Sequence, residues 1–191
     1  MKMRTWLVVM VILLIRYEVA FSQTTPTILI AYYSKSGNTQ AMAEAVAKGA
    51  ESVNGVSMRL KSIQEVTQED LLEADAVILG CPVYNANPPP AVVEFINSWP
   101  FDGRPLKDKI GAVFVTGGGF SIGEEAVMFS MIRTMMIYGM VIVGGDDLEA
   151  AFGASAITGE GGFAGKPVDE MFLLKAEGLG KRVGQMVLRM R

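Results

Sequence analysis

The chain has 191 residues, of which half are apolar and 21 are glycine, and its formal net charge is −3. This size and composition suit one globular domain with a sizeable core, and the weak negative charge offers no basic surface for nucleic acid. The chain has no histidine and one cysteine, Cys81, which excludes His-dependent triads, His-ligated zinc, an intrachain disulfide and a CxxC redox pair.

The first 22 residues read as a separate unit. Two basic residues precede the apolar run Trp6–Ile15, and small residues follow at Ala20 and Ser22. This pattern is typical of a secretory signal peptide over residues 1–22, cleaved before Gln23, and it predicts an exported protein, periplasmic or secreted. The run is well short of the roughly 20 residues that a membrane-spanning helix needs. The alternative is an uncleaved anchor, through which alone the protein would contact a membrane.

Residues 23–191 alternate strand-like and helix-like segments, and we interpret them as one domain. The predicted strands are Ile28–Tyr33, Val56–Leu60, Ala76–Gly80, Ile110–Val115 and Met140–Val143. The predicted helices are about Thr39–Val53, a short helix opened by a capping box at Thr67–Asp70, Ala91–Trp99, a helix from Gly123 to near Tyr138, and about Val168–Met190. The Gly-rich stretch Gly153–Gly165 shows no clear element.

Strict alternation of strands and helices predicts an α/β fold, a three-layer sandwich whose five-stranded parallel sheet is covered on both faces. Such sheets bind ligands at the carboxyl ends of their strands, at the point where the strand order reverses. For strand order 2-1-3-4-5 these are the ends of the first, third and fourth strands. An unusual loop follows each of the three.

The first loop, Ser34–Thr39, follows the first strand and opens the first helix. Its sequence Ser-Lys-Ser-Gly-Asn-Thr offers three hydroxyls and several backbone N–H groups to one anion, with the helix dipole behind them. It lacks both the Walker ending and the GxGxxG spacing. We therefore predict a phosphate site, with Lys35 pointing to solvent. The alternative is an ordinary strand-to-helix turn, since Ser, Asn and Thr are also common N-cap residues.

The second loop, Gly80–Asn87, follows the third strand. Tyr84 can stack on a flat aromatic ligand, and backbone groups held by Pro82 and the asparagines can bind its polar edge. Asn85 tolerates a left-handed backbone conformation. The alternatives are that Tyr84 is a partly buried loop aromatic and that Cys81 is a small buried hydrophobe, as lone cysteines usually are.

The third loop, Thr116–Gly123, follows the fourth strand and contains three consecutive glycines. Glycines expose the backbone and let a ligand approach closely. Phe120 can cover one face of an aromatic ring. The alternative is a flexible loop that binds nothing.

These residues carry a family resemblance. The first loop matches the flavodoxin phosphate-loop pattern Thr/Ser-x-Thr/Ser-Gly-x-Thr, and the C-terminal half resembles the flavodoxin-like NAD(P)H:quinone oxidoreductases, the tryptophan-repressor-binding-protein group. The resembling pieces of that half are Thr116-Gly117, Gly123–Glu125, Tyr138–Gly144 and Phe152–Gly159. The resemblance implies a flavodoxin-like fold with strand order 2-1-3-4-5 and FMN as the cofactor.

The resemblance also implies roles for individual residues. The phosphate of FMN would be bound by Ser34, Ser36, Gly37, Asn38 and Thr39. The isoalloxazine ring would contact Pro82, Val83, Tyr84 and Asn85. The pyrimidine side of the ring or the ribityl chain would contact Thr116, Gly117, Gly118 and Phe120. No catalytic side chain and no metal are implied, because FMN itself supplies the redox chemistry.

The sequence departs from the family at several positions. Quinone reductases of this group carry a His near the flavin where this chain has Tyr138, and another where it has Phe120. The segment before Phe152 is shorter than in that group, where it helps to build a tetramer. Electron-carrier flavodoxins often have Gly at the position of Asn85, and its peptide flip stabilises the one-electron-reduced flavin. Asn85 flips less freely, which favours an enzyme over a dedicated carrier.

The leading hypothesis is an FMN-dependent oxidoreductase that takes hydride from a nicotinamide donor and passes electrons to a quinone-like acceptor or a redox protein. One alternative is a flavodoxin-type electron carrier without turnover of its own. Another is a flavodoxin-fold protein that has lost FMN. A methionine stripe on the helix before Tyr138 is explained either by core packing or by a homo-oligomer interface.

Overall fold

A computed structural model of the chain describes residues 25–191, and the predicted signal peptide lies outside this range. The strands are β1 (Thr27–Tyr32), β2 (Ser57–Ser62), β3 (Ala76–Pro82), β4 (Ile110–Gly117), β5 (Val141–Ile142) and β6 (Ala154–Ile157). The α-helices are α1 (Asn38–Glu51), α2 (Gln68–Glu73), α3 (Pro90–Asn97), α4 (Glu124–Ile137) and α5 (Glu170–Arg189). None of the helices found between residues 25 and 191 combines the length and apolarity that a membrane crossing requires.

All strand pairs in the sheet are parallel, and the order is β2-β1-β3-β4-β5. The prediction of a parallel sheet with order 2-1-3-4-5 is therefore confirmed. Strands β3 and β4 are the most buried, as their continuous apolar sequences predict for central strands. Strand β2 pairs on one side only, with β1, and its polar and apolar residues alternate because successive side chains point to opposite faces of the sheet.

A sixth strand was not predicted from the sequence. Strand β5 pairs only with Ile110 and Gly111 at the start of β4, whereas β6 pairs with the last four residues of β4. The fifth position of the sheet is thus shared by two short strands, and residues 143–153 connect them. The prediction of one strand over Met140–Val143 was too long, and the prediction of no element over Gly153–Gly165 was wrong.

Gly153 explains how the chain returns to the sheet. Its φ is +139°, and a Cβ at this position would lie 2.2 Å from the backbone oxygen of Val113. Only glycine permits that approach. The strand that follows consists of small residues and one isoleucine, so its sequence gives no strong strand signal, and pairing with β4 decides its conformation.

Two apolar cores cover the faces of the sheet. Helices α1 and α5 pack on one face around Phe114, and helices α3 and α4 pack on the other around Trp99 and Met131. Glycines bring α1 and α5 together, because a Cβ at Gly49 or Gly180 would lie 1.9 Å from a backbone oxygen of the opposite helix. This close packing fixes the position of α1, whose first turn belongs to the first loop.

The methionine stripe divides between the two explanations. Met128, Met131, Met135 and Met140 are buried in the core, whereas Met136 is 60% exposed. Core packing therefore accounts for most of the stripe.

The predicted capping box is confirmed: Thr67 and Asp70 exchange side-chain to backbone hydrogen bonds at the start of α2.

Candidate functional site

The three loops meet at the carboxyl edge of the sheet. The Lys35 ammonium of the first loop lies 5.8 Å from the centroid of the Tyr84 ring in the second loop. The backbone N–H of Val83 donates to the backbone oxygen of Thr116, the first residue of the third loop, at 2.8 Å. A Cβ at Gly123 would lie 2.5 Å from the Cβ of Ala86, so the second and third loops also touch at their tips. The fold thus brings together all the residues that the sequence assigned to a site.

The first loop presents open hydrogen-bond donors. Helix α1 starts after Gly37, whose φ is +89°, with no capping side chain and no acidic residue in its first turn. By contrast, side chains cap α2 and α5, and two glutamates lie in the first turn of α4. The N–H groups of the first turn of α1 have no intrahelical acceptor. Together with the helix dipole they suit an anion.

Hydroxyl groups surround these donors. The Ser34 hydroxyl accepts a hydrogen bond from the Gly37 N–H at 3.1 Å and shapes the turn. Ser36 is exposed, and nothing lies within 4 Å of a Cβ built on Gly37, so the space beside Gly37 is open. Lys35 is exposed, as predicted, and the ring of Tyr84 lies close to its ammonium.

A buried pair of hydroxyls joins the first and third loops. Thr39 Oγ1 lies 2.7 Å from Thr116 Oγ1, and both residues are almost fully buried. A buried hydroxyl without a partner is costly, so each threonine satisfies the other. The pair fixes the start of α1 against the end of β4. The first and third loops are therefore joined directly by a buried side-chain contact.

The second loop is a tight hairpin-like turn. Tyr84 and Asn87 exchange two backbone hydrogen bonds of 3.0 Å around Asn85 and Ala86, whose φ values are +51° and +58°. Two consecutive left-handed residues define a type I′ turn, which asparagine tolerates. The side-chain amide of Asn87 donates to the Asn85 backbone oxygen at 2.7 Å. This bond holds the peptide group of Asn85, the position at which electron-carrier flavodoxins often have a glycine whose peptide flips.

The third loop is ordered by two carboxylates that sequence reasoning missed. The Phe120 N–H donates to Glu160 Oε2 at 2.7 Å, and the Ile122 N–H donates to Glu124 Oε2 at 3.1 Å. Gly118 has open space where a Cβ would stand, and the Phe120 side chain is 52% exposed. No short-range pattern links Glu160 to this loop, because the two meet only through the pairing of β6 with β4.

The buried titratable groups near these loops are not reactive. Burial raises the pKa of the Cys81 thiol to about 12, and its sulfur contacts Met131 in the core. The interpretation of Cys81 as a buried hydrophobe is therefore supported. Burial also raises the pKa of Tyr32, and Glu65 and Glu44 raise it further. The raised pKa values of Cys81 and Tyr32 thus disfavour a thiolate or a phenolate at these two positions.

Tyr138 lies away from the three loops. It follows the 14-residue helix α4, which starts directly after the third loop and is about 21 Å long. Its hydroxyl donates to the Ile96 backbone oxygen at 3.0 Å, and its ring packs on Trp99 and Phe101. Within one chain, therefore, the residue at the position of the family histidine does not face the candidate site.

The residues present fit FMN. The open donors of α1 suit its phosphate, and the exposed backbone of the third loop and the half-buried ring of Tyr84 suit a flat ring system. Comparison with known proteins agrees with this fit. Residues 27–154 match the NADPH-dependent FMN reductase family. The chain belongs to this family.

Similar proteins of known name support the same assignment. A flavodoxin of Aquifex aeolicus is 30% identical over 84% of this chain and 86% of its own length. An NAD(P)H dehydrogenase (quinone) of Geotalea uraniireducens is 29% identical over 85% of this chain and 98% of its own length. The structure of a WrbA-like flavodoxin from Agrobacterium tumefaciens superposes with a TM-score of 0.71 at 21% identity, covering 87% and 99% of the two chains.

The comparisons confirm the flavodoxin-like fold and FMN as the cofactor of the family. They also place the chain among flavodoxin-like oxidoreductases. The contacts between individual residues and FMN stay predictions. The residues in these predictions, Ser34–Thr39, Pro82–Asn85 and Thr116–Phe120, lie at one edge of the sheet.

Proposed function

We propose that this protein is an FMN-dependent oxidoreductase that transfers electrons from NADH or NADPH to a quinone or a similar acceptor. The observation that carries the proposal is the uncapped N-terminus of α1, which lies next to Tyr84 and the glycines of the third loop. Three types of group that FMN requires, for its phosphate, its ring face and its ring edge, thereby share one edge of the sheet.

Bound FMN would supply the redox chemistry, and the residues of this chain would position it. The first loop would hold the phosphate with hydroxyls and N–H groups, and the Thr39–Thr116 pair would keep that loop in register with the ring site. Tyr84 and Phe120 would border the ring and exclude water. No side chain of the chain has to move a proton, in agreement with the absence of histidine.

A cavity beside the third loop offers room for a second ligand. Its volume is about 590 Å³, and it lies between the start of α4 and β6, lined by Phe120, Glu124, Glu125, Ser155 and Ile157 among others. A volume of this size is typical of small-molecule sites. Donor and acceptor would use the exposed ring face in turn.

A flavodoxin-type electron carrier is the second candidate function, and the Aquifex aeolicus relative favours it. The second loop argues against it. A peptide flip at Asn85 would break the 2.7 Å hydrogen bond from the Asn87 side chain to the Asn85 oxygen. We therefore expect this chain to stabilise the one-electron-reduced flavin poorly.

One spectrophotometric experiment tests both candidate functions. Purified protein is mixed with FMN, washed free of unbound cofactor, and reduced anaerobically with NADH or NADPH, followed by a soluble benzoquinone. Bleaching of the flavin band by the nicotinamide and its recovery with the quinone support the enzyme. No reaction with either nicotinamide, but a stable one-electron-reduced state during dithionite titration, supports the carrier. Protein that retains no FMN contradicts both.

Two further predictions stay proposals. We propose that residues 1–22 direct export. N-terminal sequencing of the protein from fractionated cells tests this, and an N-terminus at Gln23 supports cleavage.

We also propose a homo-oligomer, because Met136 and Ile137 at the end of α4 are 60% and 65% exposed. Sedimentation velocity tests the oligomeric state, and a monomer at all concentrations contradicts the proposed homo-oligomer.

A further inference from the structure

The segment after β6 runs alongside the third loop as a strap, which we define as Thr158–Phe163. The Thr158 N–H and hydroxyl both donate to the Gly117 backbone oxygen, at 2.9 and 3.1 Å. A Cβ at Gly159 would lie 2.6 Å from the Gly118 oxygen. The contacts thus advance residue by residue along the two segments.

Glu160 makes the central contact of the strap. Its Oε2 accepts the Phe120 N–H at 2.7 Å, and a Cβ at Gly119 would lie 2.6 Å from the same oxygen. The carboxylate therefore lies over the Cα of Gly119, which is buried beneath it. The strap ends at Phe163, whose ring centroid is 6.2 Å from that of Phe120.

The third loop needs such external contacts. Glycine loses more conformational freedom on ordering than any other residue, and this loop has three in a row. Ser121 at its end has a φ of +54°, a left-handed conformation that is unfavourable for a residue with a side chain. A hydrogen bond to a carboxylate is stronger than one to a neutral acceptor. Glu160 is well suited to hold this backbone in one conformation.

We propose that Glu160 is a positioning residue: through the Phe120 N–H it holds the third loop in the shape that receives the flavin ring, and its charge lowers the reduction potential of bound FMN. The fit of the loop to the flavin ring and the effect on the potential rest on the proposed function, because both require FMN at the third loop. The hold of Glu160 on the loop does not, because it depends only on the Phe120 N–H.

Amide hydrogen exchange of the full chain without added FMN tests the hold itself. In Glu160→Ala, we expect the Phe120 amide to exchange at least tenfold faster than in the wild type. Glu160→Gln keeps a side-chain oxygen as an acceptor and should restore most of the protection. Glu51→Gln at the far end of α1 is the matched charge control, about 20 Å from the first loop. Equal Phe120 exchange in the wild type and Glu160→Ala overturns the proposal.

FMN titration and measurement of the midpoint potential on the same variants then separate the contribution of the Glu160 hydrogen bond from that of its charge. We expect FMN to bind about tenfold more weakly to Glu160→Ala and within about threefold of wild type to Glu160→Gln. The midpoint potential should shift upward in both variants, since each removes a negative charge near the flavin, and should not move in Glu51→Gln.

The outcomes distinguish this inference from the proposed function. A wild type that binds no FMN overturns the proposed function and the role of Glu160 in tuning the potential, whereas hydrogen exchange still decides whether Glu160 holds the loop. A wild type that binds FMN, with unchanged affinity and potential in Glu160→Ala, overturns the role of Glu160 toward the flavin and leaves the proposed function intact.

Discussion

At the amino edge of the sheet, polar groups bind one another, whereas at the carboxyl edge they are left open. Lys109, just before β4, donates to the backbone oxygens of Leu71, Leu72 and Ala74 at the end of α2. Asp75 accepts the Thr27 N–H and pairs with Arg191 at 2.8 Å. A cavity of about 330 Å³ lies among these groups, but its charged side chains already have partners within the chain.

The carboxyl edge has the opposite character. The first turn of α1 lacks a cap, the space beside Gly37 is open, and half of the Phe120 side chain is exposed. Leaving backbone donors without partners contributes nothing to stability. The comparison indicates that polar groups at the amino edge mainly stabilise the fold, whereas those at the carboxyl edge are free to bind a ligand. Substitutions at the amino edge should therefore change the free energy of unfolding, and substitutions at the carboxyl edge should change FMN affinity.

Lys109→Met should have the largest effect. It leaves three carbonyl groups at the end of α2 without their donor, and we expect the free energy of unfolding to fall by about 2–3 kcal/mol. Burial lowers the pKa of Lys109, and the nearby Asp75 carboxylate opposes this shift. Urea denaturation measures the loss, with exposed Lys107→Met as the control. FMN affinity should not change, and a parallel loss of FMN binding would contradict the separation of the two edges.

Asp70 extends the internal pairing to the β2 edge. Burial acts to raise the pKa of this carboxyl, but hydrogen bonds from Lys61 and Thr67 outweigh it and hold the pKa well below its usual value. A lowered pKa stabilises the fold above the unfolded value of 3.8, and this contribution is lost as the pH falls through the folded value. Lys61 is partly exposed, which limits the size of the effect.

We expect Asp70→Asn to lower the free energy of unfolding at pH 7 by about 2 kcal/mol. The difference between wild type and Asp70→Asn should shrink below about pH 4, where the wild-type carboxylate begins to lose its contribution. Urea denaturation at pH 7 and pH 3 measures this change. A difference that stays constant with pH would show that the charge of Asp70 does not contribute.

Ser36→Ala tests the carboxyl edge. Ser36 is exposed and belongs to the predicted phosphate site, so its hydroxyl should matter for FMN and not for folding. We expect FMN to bind about tenfold more weakly, with the free energy of unfolding within about 0.5 kcal/mol of wild type. Fluorescence titration and urea denaturation measure the two quantities. Ser98→Ala, at another exposed serine at the end of α3, should leave the FMN affinity unchanged.

Lys35→Met should have the smallest effect. The Lys35 ammonium lies over the Tyr84 ring, and an exposed cation–π contact of this kind is weak. We expect about threefold weaker FMN binding and a smaller dependence of affinity on salt, because one positive charge near the phosphate is lost. Lys48→Met, near the far end of α1, is the control. Unchanged affinity and salt dependence would place Lys35 outside the site.

Much of the fold was predictable because its signals are local. The continuous apolar run after Asp75 predicted a central strand, and the Thr67–Asp70 capping box predicted the start of α2. The Ser34–Thr39 pattern predicted the first loop, because a strand, a turn glycine and a helix start adjoin in the sequence. The resemblance of that pattern to flavodoxins then supplied the strand order and FMN.

The sequence by itself determined the parallel α/β fold, the positions of the three loops and the exclusion of histidine chemistry. Only the tertiary structure decided that β6 completes the sheet, that Thr39 and Thr116 share one buried contact, and that Glu160 holds the third loop. The physical reason is sequence separation: these contacts join residues 40 or more positions apart, and no local pattern marks them. The tertiary structure also decided that Tyr138 lies away from the candidate site, since the length of α4 separates it from the three loops.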